Sequence, residues 1–238
     1  MAKKNIVSIS QPTFLPWMGY FDLIDRSDSF VFLDDAQFSK QSWHQRNRIV
    51  GNAWVTLPIP SGNSKNLLCN VSLGKDKKAY EKIYNKISSV YMDYPYYHKY
   101  WPKIKSLIEV ASTQSWALSE INIEIIKYIC GALNINTKIY YSSQFKTSGA
   151  RSEKLVNIIK LLNGSGYISA VGASEYLKKD RRIFEEAKIP VFLHEVDKYA
   201  SREGELLSYL SIIDTLFKED IFGYSKLKKG RIECTRLI

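Results

Sequence analysis

Residues 5–38 read NIVSISQPTFLPWMGYFDLIDRSDSFVFLDDAQF and contain the pattern that decides the fold. A short apolar run at 6–9 stops at Ser-Gln-Pro (10–12), and a second proline follows before an aromatic turn. The prolines keep the chain extended, so we expect a strand, an ordered loop and then a helix that begins near Gly19. The apolar run 30–33 is short enough for a second buried strand, which ends in Asp-Asp (34–35). In a βαβ unit both strand ends face one crevice, so we expect Ser10-Gln11 and Asp34-Asp35 to face a common ligand.

The stretch QPTFLPWMGYFDLIDRSDSFVFLDDAQFSKQSWHQRNRI (11–49) resembles the opening of the WbqC-like family. That family is associated with bacterial O-antigen and other surface-polysaccharide gene clusters. Weaker similarity continues through YISAVGASEYL (167–177) and LSIIDTLF (210–217), so it covers most of the chain. The resemblance implies a role in sugar-nucleotide or surface-glycan modification.

The composition indicates a protein that folds without disulfide bonds. The chain has 238 residues, 45% hydrophobic and 13% aromatic, which is enough to bury a core. Cys69, Cys130 and Cys234 lack metal-ligand spacing and are expected to be reduced thiols in a cytoplasmic protein. No apolar run approaches the ~20 residues needed to span a bilayer, and no signal-peptide pattern follows the first lysines. We therefore expect neither export nor a membrane span.

The formal charge of +10 favours anionic partners such as nucleotide phosphates, RNA or acidic lipid heads. Solvated surface lysine explains the same excess. Residues 225–238 carry five basic side chains against one acidic and are interpreted as a basic C-terminal tail. A flexible terminus without function is an equal alternative.

The remaining elements alternate between helix and strand. Helices are predicted at 75–90, 103–111, 115–133, 153–162, from 175 onward and at 206–217, and strands at 54–59, 138–143, 167–171 and 190–196. We expect 54–59 to continue the main sheet and 190–196 to lie at an edge because of its proline. The alternation predicts an α/β fold with a mainly parallel sheet flanked by helices, of nucleotide-binding type. The predicted division is an α/β core (1–74 and 134–224), a helical insertion (75–133) and the tail (225–238).

A polar, cationic segment at 39–49 is the first candidate binding site. Lys40, Arg46 and Arg48 suit a phosphate or pyrophosphate, and the indole of Trp43 suits a base or sugar face. Alternatively, the two arginines pair with the aspartates at 34–35.

Two further segments are candidate ligand-binding sites. Ser152 is expected to cap the helix that follows it, which makes 148–152 a candidate phosphate seat, although capping alone explains the serines. Gly172 lies at a strand–glycine–helix junction that lets backbone approach a ligand. The tyrosine-rich stretch 91–101 is expected to pack helices together rather than line a pocket. The predicted substrate-binding residues are Ser10, Gln11, Trp17, Tyr20, Gln37, Lys40, Trp43, Arg46, Asn47, Arg48, Ser152, Ser169, Gly172, Tyr176 and Asp214.

The first functional hypothesis is an enzyme that modifies a nucleotide-linked amino sugar, by acyl or aminoacyl transfer to the sugar amine. The donor would be acyl-CoA, an acyl carrier protein or an aminoacyl-tRNA. A base must take a proton from the attacking nitrogen, and the candidates are His44, Asp34 and Asp35. His44 is favoured because imidazole titrates near neutral pH. Spacing reveals no nucleophile for a covalent intermediate, so direct transfer is preferred.

Two alternatives stay open. One is an ATP-dependent, adenylate-forming amide ligase or a nucleotidylyltransferase-like enzyme. Ordinary nucleotidyl transfer is disfavoured because Trp-Met-Gly-Tyr (17–20) stands where that group places its phosphate-binding histidines. The other is a non-enzymatic basic module that binds RNA or glycan through Arg46, Arg48 and the tyrosines.

Overall fold

The computed structural model describes residues 5–149, 151–195 and 210–238. Its strands are β1 (Ile6–Ser10), β2 (Ser29–Phe32), β3 (Arg46–Ile49), β4 (Ala53–Thr56), β5 (Lys138–Tyr141), β6 (Gly166–Ala170), β7 (Val191–His194) and β8 (Thr235–Arg236). Its helices are α1 (Met18–Asp25), α2 (Lys77–Tyr91), α3 (Tyr97–Thr113), α4 (Leu118–Ala132), α5 (Ser152–Leu161), α6 (Ser174–Lys179), α7 (Arg181–Glu186), α8 (Ile212–Glu219) and α9 (Ile221–Lys229). The part of the expected 206–217 helix before residue 210 lies outside the described residues, as does residue 196 of the expected 190–196 strand.

The main sheet has six strands in the order β5-β2-β1-β6-β7-β8. The first five run parallel, and β8 pairs with β7 in the antiparallel sense. This confirms the predicted α/β class with a mainly parallel sheet. Successive strands spread outward from β1 in one direction and from β6 in the other, as in doubly wound folds. The neighbours β1 and β6 therefore form a topological switch point, and ligands of such folds bind outside the carboxyl ends of the strands there.

Helices cover both faces of the sheet, which explains why β2 is an uninterrupted apolar run. Phe30 and Phe32 point to the face packed by α1, α4, α8 and α9, whereas Val31 points to the face packed by α5, α6 and α7. All four residues of β2 are buried. Strands of a parallel sheet buried on both faces need no alternation of polar and apolar residues.

The hairpin β3–β4 forms a separate two-stranded sheet. The prediction that residues 54–59 continue the main sheet is therefore wrong, because β4 takes β3 as its partner. The prediction of an edge position for 190–196 is also wrong, since β7 pairs with both β6 and β8. Pro190 is tolerated because it precedes the strand, where its carbonyl accepts the Tyr167 N–H at 2.9 Å.

The tyrosine-rich stretch packs helices together, as expected. Tyr91, Tyr97 and Tyr100 are buried, and the Phe217 ring of α8 lies 5.2 Å from the Tyr91 ring and 5.4 Å from the Tyr97 ring. These edge contacts tie α2 and α3 to α8. The helices of 75–133 thus share one hydrophobic core with α1 and α8. Within the described ranges, no helix has the length and apolar character needed to cross a membrane.

The C-terminal segment contains regular structure, since 225–229 complete α9 and 235–236 form β8. Arg231 bonds both Asp22 and Asp25 of α1. Asp22 also accepts hydrogen bonds from Arg26 Nε and His194 Nε2, each at 2.7 Å. These contacts connect the end of the chain with α1 and β7.

Candidate functional site

The loop that follows β1 is bound directly to the hairpin. The Phe14 N–H donates to the Trp43 carbonyl at 2.9 Å, and Asn47 Nδ2 donates to the Leu15 carbonyl at 2.6 Å. His44 contacts Gln11 at 2.7 Å. The carboxyl end of the central strand and the cationic segment predicted from sequence therefore lie side by side.

His44 is a buried, neutral imidazole. It is 5% exposed, and its Nε2 lies 2.7 Å from Gln11 Oε1. A carboxamide oxygen only accepts hydrogen bonds, so Nε2 carries the proton and Nδ1 is the acceptor. Burial lowers the pKa of His44 to about 4. The expectation that this imidazole titrates near neutral pH is therefore wrong, because its pKa lies well below that range.

This lowered pKa predicts a specific loss of stability in mild acid. The unfolded chain binds a proton at His44 near pH 6.5 and the folded chain near pH 4, so the free energy of unfolding falls as pH drops between these values. The shift corresponds to about 3 kcal/mol. We expect His44→Gln to remove this slope in urea titrations between pH 7 and pH 4. His98→Gln changes an exposed histidine and is the control; an unchanged slope in the His44 variant would contradict the assignment.

Asn122 of α4 belongs to the same cluster and was missed by sequence reasoning. Its Nδ2 donates to the His44 carbonyl at 2.8 Å and to the Pro12 carbonyl at 3.1 Å. The residue is completely buried. The available signal was a lone amide in the apolar run INIEII (121–126) of a core helix. Asn122 thus joins the helical segment to both the loop after β1 and the hairpin.

Three side chains of the hairpin, Arg46, Arg48 and Trp54, and one from the segment that leads into it, Trp43, form what we call the Trp–Arg cluster. The Arg46 guanidinium lies 4.2 Å from the Trp54 ring centre, and Arg48 lies 5.8 Å from the same ring and 5.9 Å from Trp43. The two indoles are 5.5 Å apart, and Trp43 is 45% exposed. Sequence reasoning missed Trp54, although the cross-strand register places it opposite Arg48.

The arginines of this cluster have no carboxylate partner in the described part of the chain. Arg48 Nη1 donates to Asn52 Oδ1 at 3.1 Å, and neither arginine Nε has a hydrogen-bond partner there. The alternative prediction that they pair with Asp34 and Asp35 is wrong. The third predicted cation, Lys40, is exposed on the segment that leads into the hairpin. The cluster therefore offers two guanidinium groups and an exposed aromatic face.

Asp34 and Asp35 lie at the carboxyl end of β2, but their carboxylates already form hydrogen bonds and an ion pair with neighbouring residues. Asp34 accepts from Ser142 Oγ and from the Ser143 N–H, each at 3.0 Å, and from Ser143 Oγ at 2.6 Å. Asp35 accepts from Ser142 and forms an ion pair with Lys154 of α5. These contacts link β2 to β5 and α5. They make both carboxylates poorer candidates than His44 for contact with a substrate nitrogen.

Three other predicted residues support the loop after β1. Tyr20 OH donates to the Gln11 carbonyl at 3.0 Å, and burial raises the pKa of this phenol well above its ordinary value. Ser10 is the last residue of β1. The indole of Trp17 lies over Gly19, where an added Cβ would come within 2.2 Å of the ring. Glycine at 19 therefore lets the loop turn tightly into α1.

Two further predicted residues, Gln37 and Asp214, form hydrogen bonds within the fold. Gln37 Nε2 donates to the Ser64 carbonyl at 3.1 Å, on the surface. Asp214 of α8 is 1% exposed, accepts from Tyr91 OH at 2.9 Å and lies 3.2 Å from Lys218 Nζ. Asp214 therefore joins α8 to α2 and does not face solvent.

The predicted residues Ser152 of α5 and Ser169 of β6 have hydrogen-bond partners of their own. The prediction that Ser152 caps α5 is wrong, because Arg151 holds the cap position and Ser152 Oγ donates to Asp180 Oδ2 at 2.6 Å. Ala150, inside the expected 148–152 seat, is not among the described residues. Ser169 is buried in β6 and accepts from Tyr167 OH at 3.3 Å.

The strand–glycine–helix junction after β6 is exposed on the surface. Gly172 is exposed, and a Cβ built on it would meet nothing within 4 Å. The nearby Tyr176 is 40% exposed on α6. This end of β6 neighbours β1 in the sheet, so these two predicted residues border the switch point.

Comparison with known proteins finds a matching family and a relative that spans most of the chain. A model described as the WbqC-like protein family matches residues 11–222. The uncharacterized protein Rv1507c of Mycobacterium tuberculosis (strain ATCC 25618 / H37Rv) is 27% identical over 233 residues, which covers 89% of this chain and 92% of the relative. No solved structure matches the chain.

Proposed function

We propose that this chain, which belongs to the WbqC-like protein family, modifies a nucleotide-linked amino sugar by acyl or aminoacyl transfer to the sugar amine. Its role would lie in building surface polysaccharide such as O-antigen. The observation that carries the proposal is the contact between Gln11 and His44. It brings a neutral imidazole from the segment before β3 to the carboxyl end of the central strand, where doubly wound folds bind ligands.

The Trp–Arg cluster supplies the features that a nucleoside diphosphate requires. Guanidinium groups bind phosphate oxygens in a fork geometry, and the described residues provide no carboxylate that competes for Arg46 or Arg48. The exposed face of Trp43 suits stacking against a base or sugar ring. Lys40 adds a third positive charge to the same segment. This arrangement supports diphosphate binding at the hairpin with the sugar directed toward Gln11.

His44 would act on the sugar nitrogen. In the transfer step the amine nitrogen forms a bond to the donor carbonyl carbon, and the bond from that carbon to sulfur or oxygen breaks. The proton lost by nitrogen passes through His44 Nδ1 to the leaving group. A pKa of about 4 makes this imidazole a weak base, so the amine must bind unprotonated. Its N–H becomes more acidic as the nitrogen bonds to the carbonyl carbon, when a weak acceptor is sufficient.

The Trp–Arg cluster also favours a second candidate, a non-enzymatic module that binds single-stranded RNA. Stacking of bases on Trp43 and phosphate contacts to Arg46 and Arg48 would be enough for such binding. No proton acceptor is needed for this function. The neutral His44 beside Gln11 is therefore the feature that favours the enzyme.

A reaction panel tests the proposal. Amino-sugar conjugates of UDP, dTDP and GDP are each combined with acyl-CoA, acylated carrier protein, aminoacyl-tRNA, or free acid and ATP, and amide formation is followed by mass spectrometry. We expect an amide product from an activated donor without ATP consumption. Product formation that requires ATP would indicate the adenylate route. Salt-dependent RNA affinity without affinity for any nucleotide sugar would instead support the binding module.

A further inference from the structure

We infer that the solvent face of α2 is an RNA-binding surface that holds the phosphates of an aminoacyl-tRNA, and that this tRNA is the donor in the transfer reaction. The surface is a row of three lysines, Lys78, Lys82 and Lys86, which we call the lysine stripe. This inference rests on the proposed function and deepens it, because it selects an aminoacyl-tRNA over acyl-CoA and an acyl carrier protein.

Helix periodicity places the lysine stripe in one line. Its members recur at every fourth position of α2, so they lie on one face of the helix, about 6 Å apart along its axis. All three residues are exposed and form no ion pair with a carboxylate that the structure describes. Positive charges in a row, without a counter-charge from the protein, attract a partner whose negative charges are also arranged in a row.

The lysine stripe begins beside the Trp–Arg cluster. Lys86 Nζ donates to the Trp54 carbonyl at 3.0 Å, and the Trp54 ring carries the Arg46 guanidinium. The Val50 N–H of the hairpin donates to Tyr91 OH of α2 at 3.1 Å, so the hairpin and α2 are bonded at two points. Lys78 lies about 12 Å further along the helix axis than Lys86. The stripe therefore extends the positive surface of the cluster.

A nucleotide sugar does not account for this extension. It brings two phosphates, and the two guanidinium groups of the Trp–Arg cluster match them. The proposed reaction has two substrates, so the additional positive charges suit the donor.

The surface chemistry of α2 favours RNA over the other donors. An interface with a carrier protein would centre on apolar and aromatic side chains. The exposed residues of α2 are all polar, namely Lys77, Lys78, Glu81, Lys82, Asn85, Lys86 and Ser89. Nucleic-acid interfaces are more polar and more positively charged, and lysine contacts phosphate as a point charge without reading the base. The phosphates of acyl-CoA are grouped around one nucleotide, so they do not extend along the stripe.

The transfer step with this donor is a simple aminolysis. The sugar amine nitrogen bonds to the ester carbon of the aminoacyl group, and the bond from that carbon to the ribose oxygen of the terminal nucleotide breaks. The proton lost by nitrogen passes to this oxygen. The products are the aminoacylated sugar and uncharged tRNA.

Fluorescence anisotropy of labelled, unfractionated tRNA with the whole chain tests the surface, at about 50–200 mM salt. Lys78→Gln with Lys82→Gln removes two charges of the stripe, leaves the Lys86–Trp54 contact in place and keeps helix propensity. We expect roughly tenfold weaker binding. The slope of log affinity against log salt should become shallower by about 1.5, because each phosphate contact contributes about 0.7–0.9.

The matched control is Lys178→Gln with Lys179→Gln. These exposed lysines lie on α6, on the opposite face of the sheet, and their replacement removes the same charge. The control should keep the wild-type salt slope. Equal slopes in the two variants would overturn the inference. Tighter wild-type binding to an acylated carrier protein, or to vesicles of anionic phospholipid, than to tRNA would overturn it as well.

Wild-type binding separates this inference from the proposed function. If nucleotide sugars bind and tRNA does not, the RNA-binding surface is overturned while transfer from a smaller donor stands. If tRNA binds through the stripe but no nucleotide sugar binds, the surface is supported, whereas the proposed transfer and the role of tRNA as its donor both fail.

Discussion

Replacing Arg46 and Arg48 together with alanine is expected to weaken binding of a nucleotide-linked sugar at least about 100-fold. Hydrogen bonds to charged groups contribute about 1.5–3 kcal/mol each, so two guanidinium–phosphate contacts correspond to about 3–6 kcal/mol. Each 1.4 kcal/mol is about a factor of ten in affinity. Isothermal titration calorimetry with the nucleotide sugar that the reaction panel identifies measures the change.

The matched control for this double variant is Arg181→Ala with Arg182→Ala. Both residues lie on α7, on the opposite face of the sheet, and Arg181 pairs with Glu185 on the surface. The control removes the same charge, so it isolates contact with phosphate from a general loss of positive field. If the Arg46→Ala/Arg48→Ala variant binds the nucleotide sugar with an affinity within threefold of the wild type, these arginines do not form the diphosphate-binding site.

Local sequence chemistry was sufficient to predict the central βαβ unit. The prolines at 12 and 16 hold the chain extended after Ile9, and apolar periodicity marks the helix and the second strand. Glycine at position 19 is explained by the indole that lies over it. The same reasoning singled out the cationic segment 39–49 and His44, because cations, an indole and an imidazole stand together in the sequence, but it did not predict that 46–49 form β3.

The partners of those residues could not be predicted, because they come from distant parts of the chain. Gln11 and His44 are separated by 33 positions, and Asn122 lies 110 positions from Pro12. The sequence pattern predicts a strand at 54–59 but does not show which strand pairs with it. Burial also changes acid–base behaviour in a way that sequence does not reveal, as the lowered pKa of His44 illustrates.

Substituting Asp22 with asparagine is expected to reduce the free energy of unfolding by about 3–5 kcal/mol, the cost of breaking a buried ion pair. Asp22 is 1% exposed and lies within 2.7 Å of donors on Arg26, His194 and Arg231. Asparagine keeps the shape but replaces one acceptor oxygen with an NH₂ group that faces these donors. Because Arg231 connects the C-terminal segment to α1, that segment should lose protection from proteolysis at the same time.

Urea denaturation at pH 7 measures this loss, with Glu185→Gln as the control. That change removes a carboxylate from an exposed pair and should cost no more than about 0.5 kcal/mol. Burial raises the pKa of Asp22, but the His194 hydrogen bond and the neighbouring arginine charges outweigh it, so the folded pKa lies below 3.8. The stabilisation is therefore present above pH 3.8 and is lost as pH falls through the folded pKa. The difference between wild type and Asp22→Asn should shrink over that acidic range, and a constant difference would show that charge is not its cause.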